Sequence, residues 1–187
     1  MAQSLAIIVP ILNEAKRAQA LKQRLAAYPA DEIIVVDGGS EDQSAQILQG
    51  DGIQVLVSPK GRAKQQQHGA KASTSDWLLF LHADTALPTN FRQELDKAWH
   101  KQCGWGRFDV RFTKTNSSLD RAMTIVALFM SWRSRLTAIA TGDQALFVRR
   151  DLFDQIGGFT DQPLMEDIDL SKRLKREARC YASRVGQ

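Results

Sequence analysis

The chain has 187 residues and a formal net charge of +4; 43% of its residues are hydrophobic and 25% are charged. This length and composition fit one soluble globular domain with a real core, and the charge is too small for a dedicated nucleic-acid binder. The two cysteines, Cys103 and Cys180, lack the spacing of a zinc site. A disulfide framework or a structural metal site is therefore not expected. The expected setting is a reducing cytoplasm.

Strand-like and helix-like segments alternate in the first half of the chain. Apolar runs predict four strands, at Leu5–Val9, Ile33–Val36, Ile53–Val57 and Trp77–Leu81. The first connecting helix is predicted to be capped by Asn13 and to carry one apolar face, formed by Ala18, Leu21, Leu25 and Tyr28. A second helix is predicted from about Asp42 to Leu48, and Gly61–Ala72 is predicted to be a loop that enters a third helix. This alternation predicts an α/β fold with an open, mainly parallel sheet, helices on both faces, and strands that are apolar on both sides.

A different pattern follows Asp84. The predicted elements are a helix Asn90–His100, an antiparallel or edge strand Trp105–Phe112, a long helix Ser118–Ile139, a short strand Ala145–Val148 and a helix from Glu166 to about Ala178. The last letters, CYASRVGQ, are typical of the start of a strand, so we expect a truncated chain or a short tail. This half of the chain predicts a small antiparallel portion of the sheet.

Neither a signal peptide nor a membrane span is predicted, because the N-terminus lacks a basic and apolar leader and no apolar run reaches ~18–20 residues. The nearest run, Ala122–Trp132, predicts a buried helix or one that lies in a bilayer interface. Between Ser171 and Gln187 there are six basic residues and one acid, Glu177. This charge indicates either a solvated helix face or contact with phosphates or an anionic membrane. The expected location is the cytoplasm, with peripheral contact at the inner membrane face left open.

Polar or glycine-bearing segments follow all four strands of the first half. These segments are Pro10–Glu14, Asp37–Ser40, Pro59–Lys64 and His82–Thr85. Ligands of open parallel sheets bind beyond the carboxyl ends of the strands, so we expect the four segments to form one crevice. His82 and Asp84 are two residues apart on an extended chain and are expected to point to the same side.

Two common nucleotide motifs are missing from the sequence. No GxGxxG follows the first strand, which argues against a dinucleotide oxidoreductase, and the absence of GxxxxGK[ST] excludes a P-loop NTPase. The residues present suit a nucleoside diphosphate instead. Asp37 can accept hydrogen bonds from a base or ribose, and Arg62 can pair with phosphate. Asp84 can hold a divalent cation against the pyrophosphate, because Mg²⁺ takes few protein carboxylates.

An ordered series of motifs runs through most of the chain: PILNEA (10–15), VVDGGSEDQS (35–44), GRAKQQQHGA (61–70), LFLHADT (79–85), GDQALFVRR (142–150), GGF (157–159) and MEDIDL (165–170). From Leu5 to about Leu174 the sequence resembles a family 2 glycosyltransferase of the GT-A fold. It most closely resembles a small bacterial subgroup, the radical-SAM/selenodomain-associated transferases. The resemblance implies a single domain over residues 1–187, with a nucleotide-binding half at about 1–88 and an acceptor and catalytic half at about 89–180.

The resemblance also implies roles for individual residues at the nucleotide. The residues that would line the nucleotide pocket are Pro10, Asn13, Glu14, Gly38 and Ala83. Asp37 would bind the uracil or ribose, and Arg62 would sit near the base or the diphosphate. Asp84 matches the last carboxylate of the family's DxD motif, which holds Mn²⁺ or Mg²⁺, whereas His82 replaces the first acid. His82 would hydrogen-bond a ribose or phosphate, ligate Mn²⁺, or merely end the strand.

The family's catalytic Glu-Asp pair corresponds to Glu166 and Asp167. The resemblance makes Asp167 the general base that takes the proton of the acceptor hydroxyl in an inverting transfer. Glu166, with Asp143 and Gln144, would contact the donor or acceptor sugar, with a plain turn as the alternative for the last two. Gly157 and Gly158 are expected to turn the chain, with Phe159 packed beside the site. Trp105 and Phe108 are expected to fill the core, with stacking on a sugar as the alternative.

The sequence as a whole predicts a metal-dependent inverting glycosyltransferase that uses a nucleotide-activated sugar, with a UDP-sugar as the expected donor and a lipid-linked or hydrophobic molecule among the expected acceptors. Two alternatives remain. One is a nucleotidyltransferase, although Pro10–Glu14 does not supply the glycine-rich basic loop that such an enzyme needs. The other is a nucleotide-sugar-binding module that has lost catalysis, which His82 and the abrupt end of the sequence keep open.

Overall fold

The computed structural model describes residues 3–108, 145–162 and 164–182. Within these ranges one sheet contains seven strands in the order β3-β2-β1-β4-β6-β5-β7. The strands are β1 Leu5–Ile11, β2 Glu32–Asp37, β3 Ile53–Val57, β4 Trp77–Phe80, β5 Trp105–Arg107, β6 Leu146–Arg149 and β7 Cys180–Ala182. The helices are α1 Ala15–Ala26, α2 Ser44–Leu48, α3 Arg62–Ala72, α4 Phe91–His100, α5 Arg150–Gln155 and α6 Glu166–Glu177.

The first four strands are parallel, and their carboxyl ends lie at one edge of the sheet. Ile8 in the middle of β1 pairs with Ile34 of β2 and with Phe80 of β4. Strand β6 is antiparallel to β4 and β5, and β5 is parallel to β7. The predicted α/β fold, a mainly parallel sheet with a small antiparallel portion, is therefore confirmed.

The core lies on both faces of the sheet, because neighbouring residues of a strand point to opposite sides. Ile7 belongs to the cluster that is covered by α1, α2 and α4, whereas Ile8 belongs to the cluster covered by α3, α5 and α6. Both residues are fully buried. This double coverage explains why β1, β2 and β4 are almost continuously apolar.

Strand β3 departs from that pattern. It is an edge strand of the described sheet, and Val57 at its end is 69% exposed. The prediction that all four strands are apolar and covered on both sides is therefore wrong for β3, because only one neighbour and little helix surface cover it.

The start of α1 also differs from the prediction. The helix begins at Ala15 with Glu14 as its N-cap, and Asn13 takes a left-handed conformation with φ of 55°. Asn13 Oδ1 accepts a hydrogen bond from the backbone N–H of Glu41 at 2.9 Å instead of capping the helix. The predicted apolar face is confirmed for Ala18, Leu21 and Leu25, which are buried, and Tyr28 lies just beyond the end of the helix.

Two further differences concern the second half. Strand β5 lies between β6 and β7 and is not an edge strand, and the six-residue helix α5 was not predicted. Trp105 and Phe108 are buried, as predicted. The predicted helix Ser118–Ile139, its apolar segment Ala122–Trp132, and Asp143 and Gln144 lie outside the described residues. In the described ranges, every helix is too short or too polar to cross a membrane.

Candidate active site

A cavity of about 340 Å³ opens at the carboxyl edge of the parallel strands. Six of the residues predicted for the site line it: Pro10, Glu14, Arg62, His82, Ala83 and Asp84. The segments after β1, β3 and β4 thus meet in one crevice, whereas the fourth segment expected there, Asp37–Ser40 after β2, does not line it. The predicted segments also bring Ile11, Leu12, Lys60 and Gly61 to the cavity, whereas Gln65, which lines it too, lies outside all of them.

Three predicted nucleotide-binding residues, Asn13, Asp37 and Gly38, do not line this cavity. Asp37 is only 4% exposed, and both of its carboxylate oxygens accept a hydrogen bond from the backbone N–H of Ser40 at 3.1 Å. Asn13 donates its own backbone N–H to the Ser40 hydroxyl at 2.9 Å. In this arrangement Asp37 and Asn13 hold the loops after β1 and β2 together behind the cavity.

The same loop network fixes Glu14 at the cavity wall. The backbone N–H of Glu14 donates to the Ser44 hydroxyl at 2.7 Å, and that of Ala15 donates to Asp42 at 3.0 Å. The Ser44 hydroxyl also donates to Asp42, and this bond is the main reason why the pKa of Asp42 is lowered. The first turn of α1 is therefore tied to the loop before α2.

Gln65 of α3 links the carboxyl ends of β1 and β2 through its side-chain amide. Its Nε2 donates to the carbonyl of Ile11 at 2.8 Å and to that of Val36 at 2.7 Å. Gln65 lies one helical turn before Gly69 and shares its face of α3. At Gly69 an added Cβ would stand 2.6 Å from Ile8, so this face of α3 presses against the sheet.

The turn after β4 brings His82, Ala83 and Asp84 to the cavity. The backbone N–H of Thr85 donates to the His82 carbonyl at 3.0 Å, which closes the turn. Arg24 of α1 donates a hydrogen bond from Nη2 to the Ala83 carbonyl and so stabilises the turn. Asp84 is exposed and His82 is half-buried, so both are placed at the mouth rather than in the core.

The donor set at this mouth does not form a complete metal cage. No group of three or more His, Cys, Asp or Glu residues that could hold a cation occurs among the described residues. One carboxylate, with an imidazole two residues away, instead suits a divalent cation that takes most of its ligands from phosphate oxygens and water.

Asp167 stands at the first turn of α6, where the chain turns sharply. Met165 before the helix has a left-handed φ of 63°, and Glu166 is 5% exposed. Burial raises the pKa of Asp167, and the charge of Glu166 adds to the rise. The Ile168 backbone N–H, which Asp167 accepts at 2.8 Å, and the charge of Arg62 oppose that rise in pKa.

Arg62 therefore connects the cavity with α6. It lines the cavity at the start of α3, and its charge acts on Asp167. A second link joins the same elements, because Lys64 forms an ion pair with Asp161 at 3.4 Å. Asp169, by contrast, accepts hydrogen bonds from Arg173 and Thr160 at 2.9 Å and stabilises its own helix.

A pair of glycines, Gly157 and Gly158, turns the chain so that the segment leading to α6 packs beside the site. Gly157 and Gly158 both have positive φ, 78° and 68°, and turn the chain. The Phe159 backbone N–H donates to Gln67 Oε1 at 2.8 Å, and its ring packs edge-on against Phe80 at 4.8 Å. Phe80 ends β4 immediately before the His82 turn, so the prediction that Phe159 packs beside the site is confirmed.

Comparison with known proteins agrees with this architecture. The model of Glycosyl transferase family 2 matches residues 6–157. A mannosyltransferase from Pyrobaculum calidifontis, solved with GDP-Man and Mn²⁺, is similar with a TM-score of 0.76 and 18% identity, over 98% of this chain and 55% of that one. Glucosyl-3-phosphoglycerate synthase from Mycobacterium tuberculosis, solved with Mn²⁺, UDP and glucosyl-3-phosphoglycerate, is similar with a TM-score of 0.67 and 19% identity, over 96% of this chain and 69% of that one.

This chain thus spans about half the length of the mannosyltransferase, and identities this low establish a shared fold only. The fold is that of GT-A nucleotide-sugar transferases. Because the family model covers most of the sequence, the chain belongs to glycosyl transferase family 2.

Proposed function

We propose that this chain is a metal-dependent, inverting glycosyltransferase that moves a sugar from a nucleoside diphosphate donor, a UDP-sugar, to an acceptor hydroxyl. The observation that carries the proposal is the meeting of Arg62, His82 and Asp84 in one cavity, with Asp167 within electrostatic reach of Arg62. Family membership supports the same reaction class.

Arg62 and Lys60 supply the positive charge for the donor diphosphate. Both are exposed and line the cavity at the start of α3, where charged side chains keep their hydration until a phosphate replaces it. Pro10, Glu14 and Ala83 complete the wall around the nucleotide, while Asn13, Asp37 and Gly38 act from the loops behind it.

Asp84, with His82 beside it, would hold the divalent cation, Mn²⁺ or Mg²⁺. When bound, such a cation supplies positive charge that stabilises the diphosphate as a leaving group. Solved relatives of the same fold contain Mn²⁺ with GDP-Man or with UDP, which supports a metal and a nucleotide in this cavity.

Asp167 acts as the general base. Its carboxylate takes the proton of the acceptor hydroxyl while that oxygen forms a bond to the anomeric carbon, and the bond from this carbon to the diphosphate oxygen breaks. A raised pKa makes the carboxylate a better proton acceptor at neutral pH. Glu166 lies next to it and, with Asp143 and Gln144, contacts the transferred sugar or the acceptor.

The remaining assignments rest on the sequence motifs. We assign the chain to the bacterial radical-SAM/selenodomain-associated subgroup, with residues 1–88 binding the nucleotide and 89–180 forming the acceptor side. The basic segment from Ser171 and the run Ala122–Trp132 support a cytoplasmic protein with peripheral membrane contact and a hydrophobic acceptor.

Calorimetric titration of UDP tests the proposal, with GDP for comparison and with and without Mn²⁺. Wild type should bind UDP in a metal-dependent manner, and Asp84→Ala should lose the metal-dependent part of the affinity. Asp96→Ala, which removes an exposed carboxylate of α4 away from the cavity, is the matched control and should behave like wild type. Absence of nucleotide binding by folded wild type would refute the proposal.

A donor-sugar screen that measures release of the nucleoside diphosphate separates an enzyme from a binding module. Turnover supports the transferase. Tight donor binding without release or transfer for any sugar would favour the module that has lost catalysis.

A further inference from the structure

Gln65 is a buried amide whose orientation is fixed by the backbone of two strands. The residue is 3% exposed, and its Nε2 donates to the carbonyls of Ile11 and Val36. A carbonyl oxygen can only accept, so the NH₂ group and not the oxygen of the amide must face these two partners. Both N–H groups of Gln65 are therefore committed to protein.

The remaining polar atom of Gln65 is Oε1, which can only accept a hydrogen bond. No other described residue donates to it. Among the described residues, Oε1 of Gln66 is a fully buried side-chain atom without a hydrogen-bond partner, whereas Oε1 of Gln65 is not such an atom. Gln65 lines the cavity and its Nε2 is held by two carbonyls, so Oε1 is the polar atom that it has left for an occupant of that cavity.

The surroundings of Gln65 suit a nucleobase better than a phosphate. The charged groups Lys60, Arg62 and Asp84 are exposed to water, so the partners that suit a charged diphosphate lie at the open part of the cavity. Gln65 is instead buried, and the half-buried apolar side chains of Pro10 and Leu12 line the same cavity. An oriented neutral acceptor next to apolar surface matches the edge of a planar base.

Asp37, the residue predicted to accept from the base, is already hydrogen-bonded within its own loop. Both oxygens of Asp37 are engaged by Ser40, and Asp37 does not line the cavity. Gly38, the next residue, approaches Gln65 so closely that an added Cβ would stand 2.9 Å from Oε1. Of the two candidate acceptors, Asp37 and Gln65, Gln65 is the one that lines the cavity.

We propose that Gln65 reads the nucleobase of the donor, with Oε1 accepting a hydrogen bond from a ring N–H, which uracil carries at N3 and guanine at N1. The proposal rests on the proposed function, because it assumes that a nucleoside diphosphate fills the cavity. Cytosine and adenine present an unprotonated ring nitrogen at these positions, so two acceptors would face each other.

A binding panel on the wild-type protein, with Mn²⁺ present, tests the proposal without any substitution. UDP or GDP should bind at least about tenfold more tightly than CDP and ADP. The bases of CDP and ADP cannot make the hydrogen bond, and they also leave the Gln65 acceptor unpaired. UDP methylated at N3 should bind at least about tenfold more weakly than UDP, whereas 2′-deoxy-UDP should bind within about threefold of it.

Gln65→Lys makes the test specific to the acceptor. The lysine ammonium can still donate to the carbonyls of Ile11 and Val36 but cannot accept, so the ratio of UDP to CDP affinity should fall to near one. His68→Lys places the same charge on an exposed position of α3 and should keep the wild-type ratio. If thermal melting shows that Gln65→Lys does not fold, Gly38→Ala replaces it, because its Cβ displaces Oε1.

The outcomes separate this inference from the proposed function. Equal affinity for UDP and CDP in wild type, or unchanged discrimination in folded Gln65→Lys, overturns the role of Gln65 and leaves the transferase proposal standing. Dependence on the 2′-hydroxyl without dependence on the ring N–H also overturns it, since the contact is then to ribose. Failure of every nucleoside diphosphate to bind overturns the proposed function itself.

Discussion

Arg62 and Asp167 are electrostatically coupled across the site, although they belong to the different helices α3 and α6. The positive charge of Arg62 counteracts the rise that burial and Glu166 impose on the pKa of Asp167. In the proposed reaction these two residues serve the leaving diphosphate and the attacking hydroxyl. In that reaction, the charge that binds the donor would also tune the pKa of the base.

Asp167→Asn is expected to abolish transfer and to spare donor binding. Removing a general base costs about 10²–10⁴-fold in rate, whereas the nucleotide does not depend on that carboxylate. Turnover measured by nucleoside diphosphate release, beside calorimetric donor binding, checks both halves. Asp154→Asn, an exposed acid of α5, is the control. Near-normal turnover of Asp167→Asn would show that another group takes the proton.

The same substitution should stabilise the fold at neutral pH. A carboxyl whose pKa is higher in the folded than in the unfolded state binds protons more tightly when folded, so its ionisation above its ordinary pKa destabilises the native protein. Below that pKa the carboxyl is protonated in both states and the cost vanishes. Denaturant unfolding at pH 7 and at acid pH should therefore show a gain in free energy of unfolding for Asp167→Asn at pH 7 alone.

Arg62→Gln is expected to move the acid limb of the pH–rate profile to higher pH. Without the guanidinium the pKa of Asp167 rises further, so the base is lost to protonation at a higher pH as the solution is acidified. Arg62→Lys keeps the charge and should leave the limb near its wild-type position, while weakening bidentate phosphate binding. If the acid limb of Arg62→Gln stays in place, the group that titrates in this limb is not Asp167.

The strands and the crevice could be predicted from the sequence because they depend on local and general rules. Continuous apolar runs fixed the positions of β1 to β4, and Ile53–Val57 was predicted to the residue. Parallel strands bring their carboxyl ends to one edge, so the convergence of Arg62, His82 and Asp84 followed from strand order alone.

The parts that could not be predicted depend on contacts between distant segments. Asparagine is favoured both as an N-cap and in left-handed turns, and the choice at Asn13 is made by the N–H of Glu41 on another loop. Gln65 is likewise defined by carbonyls of two strands, which a helical pattern does not reveal. Asp37 was predicted as a ligand-binding carboxylate, and that role stays a prediction.

Arg24→Met is expected to weaken metal-dependent nucleotide binding about tenfold, in the range seen when groups that orient metal ligands are removed. Arg24 holds the Ala83 carbonyl from behind, so its loss frees the turn that presents His82 and Asp84. Nucleotide binding without metal should change little. Arg17→Met, on an exposed position of the same helix, is the matched control. Calorimetry with and without Mn²⁺ that shows equal losses in both conditions would indicate general unfolding of the site rather than of this turn.

Phe159→Ala is expected to destabilise the protein by about 3–5 kcal/mol, because a buried aromatic ring is replaced by a cavity. The ring lies 4.8 Å from Phe80 and 5.7 Å from Phe153, so it joins the segment before α6 to the end of β4. Val57→Ala, which shortens a side chain that is 69% exposed, should cost no more than about 0.5 kcal/mol. Urea unfolding of the two variants provides the comparison. Equal midpoints would mean that the segment carrying Asp167 is not anchored through Phe159, since the loss of this ring would then leave the packing of β4 intact.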